Sequence, residues 1–167
     1  MRELISNVDL ENVMYDVISD INLYSHEIKI AAKMQYLTGC RANDVLEADR
    51  WILLMDGNLQ LQPQKGNNIR TFEPLDVDND FYDYIVAGHF LLDGLNYRKY
   101  NYYIELAMHK YAFKVFSKSI TSHLFRHNYA KKLHDTGMSD VDIQNKLGER
   151  RLSSAVGYIY SPITWQV

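Results

Sequence analysis

The segment HLFRHNYAKKLHDTGMSDVDIQNKLGE, residues 123–149, organises the second half of the chain. Its first part has the apolar spacing of an amphipathic helix and places His123 and Arg126 three residues apart, on one helix face. A buried guanidinium is costly unless an anion pairs with it. The helix therefore carries either a polar surface stripe or an arginine that binds an anion absent from the sequence. The imidazole of such a pair could also transfer a proton.

Length and composition describe one ordinary globular domain. The chain has 167 residues, of which 47% are hydrophobic and 23% charged, enough for a substantial core. The single cysteine, Cys40, excludes an intramolecular disulfide and fits a reducing compartment. No apolar run approaches the roughly 20 residues of a membrane span, and the N-terminus lacks the apolar stretch of a signal peptide. The expected location is the cytoplasm, with no membrane partner.

Charge is divided unevenly along the chain. Residues 1–97 contain 7 Lys/Arg and 16 Asp/Glu, a net charge of −9, whereas residues 98–167 contain 11 and 5, a net charge of +6, so the total is −3. The acidic total argues mildly against nucleic acid, but the basic half suits an anionic partner. Lys110, Lys114 and Lys118 recur every four residues and share a helix face. This stripe either follows a DNA backbone or is simply solvated.

Periodicity predicts a mainly α-helical fold with a small three-stranded antiparallel sheet. The expected strands, separated by the turn segments DGN and KGNN, are 51–55, 59–64 and 69–73. Ser25 and Ser139 are expected to cap helices, and Gly39 and Gly137 to end them. The expected helices are 9–22, 26–37, 42–48, 80–92, 99–117, 122–136, 139–147 and 153–160.

Four segments, in this order, resemble the catalytic domain of the tyrosine recombinase (phage integrase) family. They are TGCRANDV, QKGNNIRTFEP, the segment 123–149 and SSAVGYIY. The third is the most specific, because the family has a form close to H-x-L-R-H, an alanine and a leucine, a glycine, a short helix and L-G-H. The resemblance covers about residues 20–160. It implies that residues 1–167 are a single catalytic domain without the family's N-terminal core-binding domain, either as part of a longer protein or as an unusually short member.

The resemblance also implies a catalytic set. Its members are Arg41, Lys65, His123, Arg126 and Tyr158. Tyr158 is the expected nucleophile because it follows position 149 by the usual nine residues, and Tyr160 is the rival. Asp44 would support Arg41. From the residues alone, Arg41 and Asp44 share a face of a short helix, where the carboxylate could orient the guanidinium or form an ordinary local salt bridge.

Glu149 departs from the family pattern, which usually has histidine or tryptophan at this position. An ionised glutamate only accepts hydrogen bonds and brings negative charge toward an anion. It could buttress Arg126, pair with Arg150 or Arg151, be protonated, or mark a slowed or inactive enzyme, and the sequence leaves these open. Arg150 and Arg151 are also candidate DNA contacts. His127 is expected to be a packing or capping residue.

The implied reaction is breakage and rejoining of DNA through a 3′-phosphotyrosine, which requires no metal or cofactor. The implied partner is double-stranded DNA, bound by a tetramer on two duplexes, although the domain could be a monomer without DNA. Such a protein would be bacterial, archaeal or phage-encoded and linked to a mobile element. Two alternatives stay open: a catalytically impaired integrase-like DNA-binding module and a type IB topoisomerase-like enzyme. The tail SPITWQV, residues 161–167, is expected to add a short strand in cis or in trans.

Overall fold

The computed structural model describes residues 2–21, 25–62, 67–88, 95–112, 115–116 and 122–166. Eight α-helices lie in this part of the chain: α1 Asn7–Ile21, α2 His26–Thr38, α3 Ala42–Leu46, α4 Asn79–Val86, α5 Tyr97–Ala112, α6 His123–Asp135, α7 Asp140–Leu147 and α8 Leu152–Tyr160. The strands are β1 Arg2–Leu4, β2 Trp51–Leu53, β3 Leu59–Leu61, β4 Arg70–Phe72, β5 Val115–Phe116 and β6 Thr164–Gln166. Short 3-10 turns occupy Ala48–Arg50 and Pro74–Asp76.

The mainly helical class and the small antiparallel sheet are confirmed. β2, β3 and β4 form a meander in which Trp51 pairs with Leu61 and Leu59 with Phe72. Alternation along β3 and β4 buries Leu59, Leu61 and Phe72 on one face. The Trp51 ring packs against Phe72 and, edge to face, against Phe81 of α4. The meander is thereby fixed to the helices.

A second sheet was not predicted. β6 lies between β1 and β5 and is antiparallel to both, so the tail adds its strand in cis. The predicted helix 99–117 is wrong at its end, since α5 stops at Ala112 and residues 115–116 pair with β6. Valine and phenylalanine favour strands once a partner is present. The predicted helix 80–92 is also too long, because α4 ends at Val86 and Gly88 adopts φ +70°.

Helix ends follow the expected capping chemistry. The Ser25 hydroxyl accepts from Ile28 N at 3.1 Å, and the Ser139 hydroxyl accepts from Asp142 N at 3.2 Å. Gly39 ends α2 at φ +66°. A Cβ at Gly39 would lie 2.4 Å from Cδ1 of Tyr129, so the chain leaves α2 in direct contact with α6. The chain that follows Gly39 therefore starts beside α6.

Two apolar clusters build the interior. The larger joins α1, α2, α5 and the meander. The smaller holds α6, α7 and α8 together through Ala130, Ile143, Leu147, Ala155 and Ile159. No helix among the described residues is long and apolar enough to cross a membrane.

Candidate active site

Arg126 is the centre of the candidate site and is fully buried. Its Nη1 donates to the carbonyl of Gly39 at 2.6 Å, and its Nη2 donates to the carbonyl of Leu147 at 2.9 Å and to Oε1 of Glu149 at 2.8 Å. The guanidinium thus joins the end of α2 to the end of α7. Burial, with the charges of Arg41 and Arg70, lowers its pKa from the ordinary value. The surface-stripe alternative for this part of α6 is therefore wrong.

Arg41 reaches the same carboxylate from the start of α3. Its Nη2 lies 2.5 Å from Oε1 of Glu149, so one carboxylate oxygen bridges both guanidiniums. Gly148 ends α7 at φ +71° and turns the chain so that Glu149 points inward and is buried. Of the open alternatives, the contact with Arg126 is the one observed, while Arg150 and Arg151 are exposed.

Two roles were left open for Asp44, orienting the Arg41 guanidinium or forming a local salt bridge with it, and neither is among its observed contacts. Its Oδ2 accepts from the backbone N–H of Arg41 at 3.2 Å at the start of α3, and its Oδ1 pairs with Arg50. The carbonyl of Asp44 accepts from Nε1 of Trp51 at 2.7 Å. A capping carboxylate faces the helix N-terminus and not the preceding side chain, which explains the difference. Asp44 therefore supports Arg41 through the backbone.

Tyr158 of α8 lies over Arg126 and lines a cavity together with Arg41. Its ring centroid lies 4.9 Å from Cζ of Arg126. The His127 ring meets it edge-on at 4.9 Å, and the His123 ring is stacked at 6.5 Å. A cavity of about 330 Å³ opens beside this group, lined by Arg41, His127, Glu149, Ser154, Gly157, Tyr158 and Ser161. The cavity could admit a small anionic group next to the tyrosine.

The two histidines of α6 have pKa values lowered from that of a free imidazole. Burial and the charge of Lys131 lower the pKa of His127 to about 4, and its Nδ1 lies 3.3 Å from the Tyr158 carbonyl oxygen. His127 therefore packs and caps, as expected. Burial, with the charges of Arg126 and Arg41, also lowers the pKa of His123. A neutral His123 can accept a proton.

Tyr160 points to a different part of the molecule. Its side chain is exposed, and its hydroxyl donates to Oδ1 of Asp140 at 2.9 Å, which raises its pKa. Of the two rival tyrosines, the structure brings Tyr158 to the arginines.

The architecture around this site matches solved recombinase complexes. XerH site-specific recombinase bound to its difH substrate, in a pre-cleavage complex, superposes with a TM-score of 0.63 at 15% identity, covering 88% of this chain and 48% of that one. XerH bound to a palindromic difH substrate, in a post-cleavage complex, gives 0.64 at 15% identity, covering 88% and 47%. The chain has the fold of a tyrosine recombinase catalytic domain.

The chain spans about half the length of the solved recombinases that it matches. No protein-family model and no curated protein sequence matches it.

Several predicted site residues lie outside the described part of the chain. Lys65, Lys114 and Lys118 are among them, as is the side chain of Lys110 in α5. Asn68, which precedes β4, contacts the end of α7, because its backbone N donates to the Gly148 carbonyl at 3.0 Å. Among the described residues, no group of three or more His, Cys, Asp or Glu is arranged to hold a metal ion.

Two buried cations near the site were missed from the sequence. Lys131 donates to the carbonyls of Ile159 and Ser161 at the end of α8. Arg70 of β4 donates to the carbonyl of Thr38 and lies 3.2 Å from Sγ of Cys40. Lys131 follows His127 by four residues, so the shared helix face was the available signal.

Proposed function

We propose that the chain is the catalytic domain of a site-specific DNA recombinase that breaks and rejoins strands through a covalent bond to Tyr158. The observation that carries the proposal is the Tyr158 ring lying on Arg126, whose guanidinium shares one carboxylate oxygen with Arg41. A nucleophile beside two positive charges is suited to attack an anionic phosphodiester. The matching recombinase fold and the DNA in those solved complexes support the same assignment.

In the proposed reaction, Oη of Tyr158 attacks the phosphorus of a DNA phosphodiester. The P–Oη bond forms as the bond to the 5′ oxygen breaks, leaving a 3′-phosphotyrosine and a 5′ hydroxyl. The tyrosine proton passes to neutral His123, and Lys65 supplies the proton to the leaving 5′ oxygen. A 5′ hydroxyl of another strand then attacks the phosphotyrosine and reverses these steps.

Arg41 and Arg126 would bind the two non-bridging oxygens, where negative charge increases in the transition state. Planar guanidiniums fixed by neighbouring groups suit this role better than flexible ammonium groups. The carbonyls of Gly39 and Leu147 hold Arg126 in place before DNA arrives. No hydrolytic water is consumed, so the phosphodiester energy is conserved in the covalent intermediate.

We further propose that the partner is double-stranded DNA, exchanged by a tetramer on two duplexes in the cytoplasm of a bacterial, archaeal or phage-infected cell, in the service of a mobile element. Arg150 and Arg151 are exposed beside the site and would contact the backbone, together with Lys110, Lys114 and Lys118. Such contacts make binding strongly dependent on salt concentration. A single catalytic domain would bind DNA weakly without a core-binding domain.

Trapping of the covalent adduct tests the proposal. A nicked duplex that loses a short fragment on cleavage, with sites selected from a random library, is incubated at low salt with the wild type, Tyr158→Phe and Tyr160→Phe. We expect an adduct with the wild type and Tyr160→Phe and none with Tyr158→Phe. Loss of the adduct only in Tyr160→Phe would identify Tyr160, and not Tyr158, as the nucleophile.

The assay also separates the alternatives. Wild-type protein that binds the selected DNA without forming an adduct would instead be a catalytically impaired DNA-binding module, which the pairing of Glu149 with both arginines favours. Joining of the adduct to a new strand is expected of a recombinase. Rejoining restricted to the original strand would indicate a topoisomerase-like enzyme.

A further inference from the structure

The bridge made by Glu149 has the geometry of an anion bound between two arginines. Its Oε1 accepts from Arg41 at 2.5 Å and from Arg126 at 2.8 Å, and the side chain is 6% exposed. A phosphodiester oxygen would use the same guanidinium groups. The carboxylate and a phosphate therefore cannot both hold this position.

The arginine pair needs an anion even without DNA. The other groups that Arg126 contacts through Nη1 and Nη2 are the neutral carbonyls of Gly39 and Leu147, and its buried Nε has no hydrogen-bond partner among the described residues. Two nearby guanidiniums without a counter-charge would repel each other and be poorly solvated. Glu149 supplies the missing negative charge from within the chain.

Hydrogen bonds fix the backbone of Glu149 beside a cavity. Glu149 N donates to the Gln144 carbonyl at 3.1 Å, and Nε2 of Gln144 donates to the Glu149 carbonyl at 3.2 Å. Glu149 also lines the cavity that Arg41 and Tyr158 line. Release of the carboxylate from the arginines would therefore leave the backbone of Glu149 in place.

We propose that Glu149 is an intramolecular competitor for DNA phosphate: its carboxylate occupies the arginine pair in the DNA-free chain, and phosphate binds there only after the carboxylate has left. That the competing anion belongs to DNA rests on the proposed function; the competition itself does not. The apparent affinity for phosphate is reduced by the fraction of molecules whose arginines are self-paired. Only DNA that makes enough other contacts with the protein would displace the carboxylate from the arginines. Glu149 therefore favours the binding of specific DNA over short-lived, nonspecific binding.

The first test uses inorganic phosphate and thermal unfolding, so it needs neither DNA nor catalysis. Wild type, Glu149→Gln and Glu47→Gln are compared in phosphate and in chloride of equal ionic strength. Glu47 is half-exposed and pairs with Arg50, so its variant removes one charge away from the site. We expect Glu149→Gln to have a lower Tm in chloride and a larger rise in phosphate than the other two proteins. Equal rises of Tm in phosphate for the wild type and both variants would overturn the proposal.

The second test measures binding of a short duplex at low salt, in a Tyr158→Phe background that prevents cleavage. Glu149→Gln should bind about tenfold more tightly than its parent if the carboxylate occupies the arginines in about nine-tenths of DNA-free molecules. Glu149→Asp, a second variant should the first fail to fold, keeps the charge but is too short to bridge both arginines, and should also bind more tightly. Unchanged or weaker binding by the variants that fold would refute competition.

The adduct assay and the phosphate test together separate this inference from the proposed function. If the wild type forms no adduct but phosphate still stabilises Glu149→Gln selectively, the recombinase assignment fails and the competition stands. If adducts form and phosphate does not distinguish the variants, the recombinase assignment stands and Glu149 is a fixed counter-ion.

Discussion

The ammonium group of Lys131 lies 2.8 Å from the carbonyl oxygen of Ile159 and 2.9 Å from that of Ser161. His127, one turn earlier in α6, contacts the carbonyl of Tyr158. The last carbonyls of a helix lack intrahelical partners and carry partial negative charge. One face of α6 therefore binds the end of α8 and fixes the position of Tyr158.

If Tyr158 is the nucleophile, as proposed, replacing Lys131 with methionine is expected to slow adduct formation about 10- to 100-fold while DNA affinity changes little. A misplaced nucleophile reacts slowly but is not needed for binding. Single-turnover rates at saturating and limiting protein would separate the rate constant from affinity. Lys131 acts as a positioning residue in this account.

Lys132→Met is the matched control for Lys131→Met. Lys132 is exposed, pairs with Glu11 and lies over the ring of Tyr36, so the control removes the same charge from the same helix without touching α8. Equal slowing by both variants, or a wild-type rate for Lys131→Met, would contradict the positioning role.

The close approach of Gly39 to Tyr129 predicts a steric cost. Gly39→Ala should lower the free energy of unfolding by about 2–5 kcal/mol, since a left-handed φ and a forced displacement of the tyrosine ring add together. Gly137→Ala shares the positive φ, at +89°, but its Cβ would meet nothing within 4 Å, so it should cost about 1 kcal/mol. Urea unfolding of both variants isolates the steric part. A similar loss for the two would mean that Tyr129 moves freely.

Burial of neutral His127 predicts a loss of stability in acid. The unfolded chain binds the proton near pH 6.5 and the folded chain at about 4, so stability is complete above pH 6.5 and falls as the pH drops toward 4. At about 1.4 kcal/mol per pH unit, this amounts to roughly 3 kcal/mol. Urea midpoints between pH 7 and pH 4 would measure it.

His127→Asn keeps a polar contact to the Tyr158 carbonyl but cannot titrate. Its loss of folding stability in acid should therefore be smaller than that of the wild type. His123 is present in both proteins, and its contribution therefore cancels in the difference. Superimposable curves for the two proteins would show that His127 does not account for the acid sensitivity.

The contacts of Asp44 predict that its replacement lowers the free energy of unfolding, independently of any effect on catalysis. Asp44→Asn leaves largely buried Arg50 without that carboxylate and weakens the cap of α3, which should cost about 3 kcal/mol. Glu47→Gln removes the half-exposed partner of the same arginine and should cost less than about 1 kcal/mol. Equal costs by urea unfolding would argue that Asp44 is not the main partner of Arg50.

Local patterns predicted the helices and the meander because capping, turns and periodicity act over a few residues. Ser25, Gly39 and Ser139 all perform the expected capping roles. A strand in the tail was expected, but its partners β1 and β5 could not be predicted, since they are remote from β6 in sequence and no turn segment joins them to it. Because residues 115–116 belong to the sheet of β1, β5 and β6, the predicted helix 99–117 is too long.

Some members of the candidate site could be predicted from the sequence, and others could not. Helical spacing placed His123 and Arg126 together, and the family resemblance added Arg41 and Tyr158. The partner of Glu149 could not be chosen, because it depends on how the left-handed turn at Gly148 directs the chain. Lys131 was overlooked because its partners are backbone carbonyls, which no sequence pattern displays.

The position of β6 between β1 and β5 has a consequence for folding kinetics. Arg2 pairs with Gln166, so this sheet joins residues from opposite ends of the described chain, whereas the meander joins neighbours in sequence. Closing the longer loop costs more entropy and contributes to slow folding. The meander is therefore expected to form early and the terminal sheet last, after the packed helices have brought its strands together. Since β6 follows α8 directly, the final folding step is also the one that secures the helix bearing Tyr158.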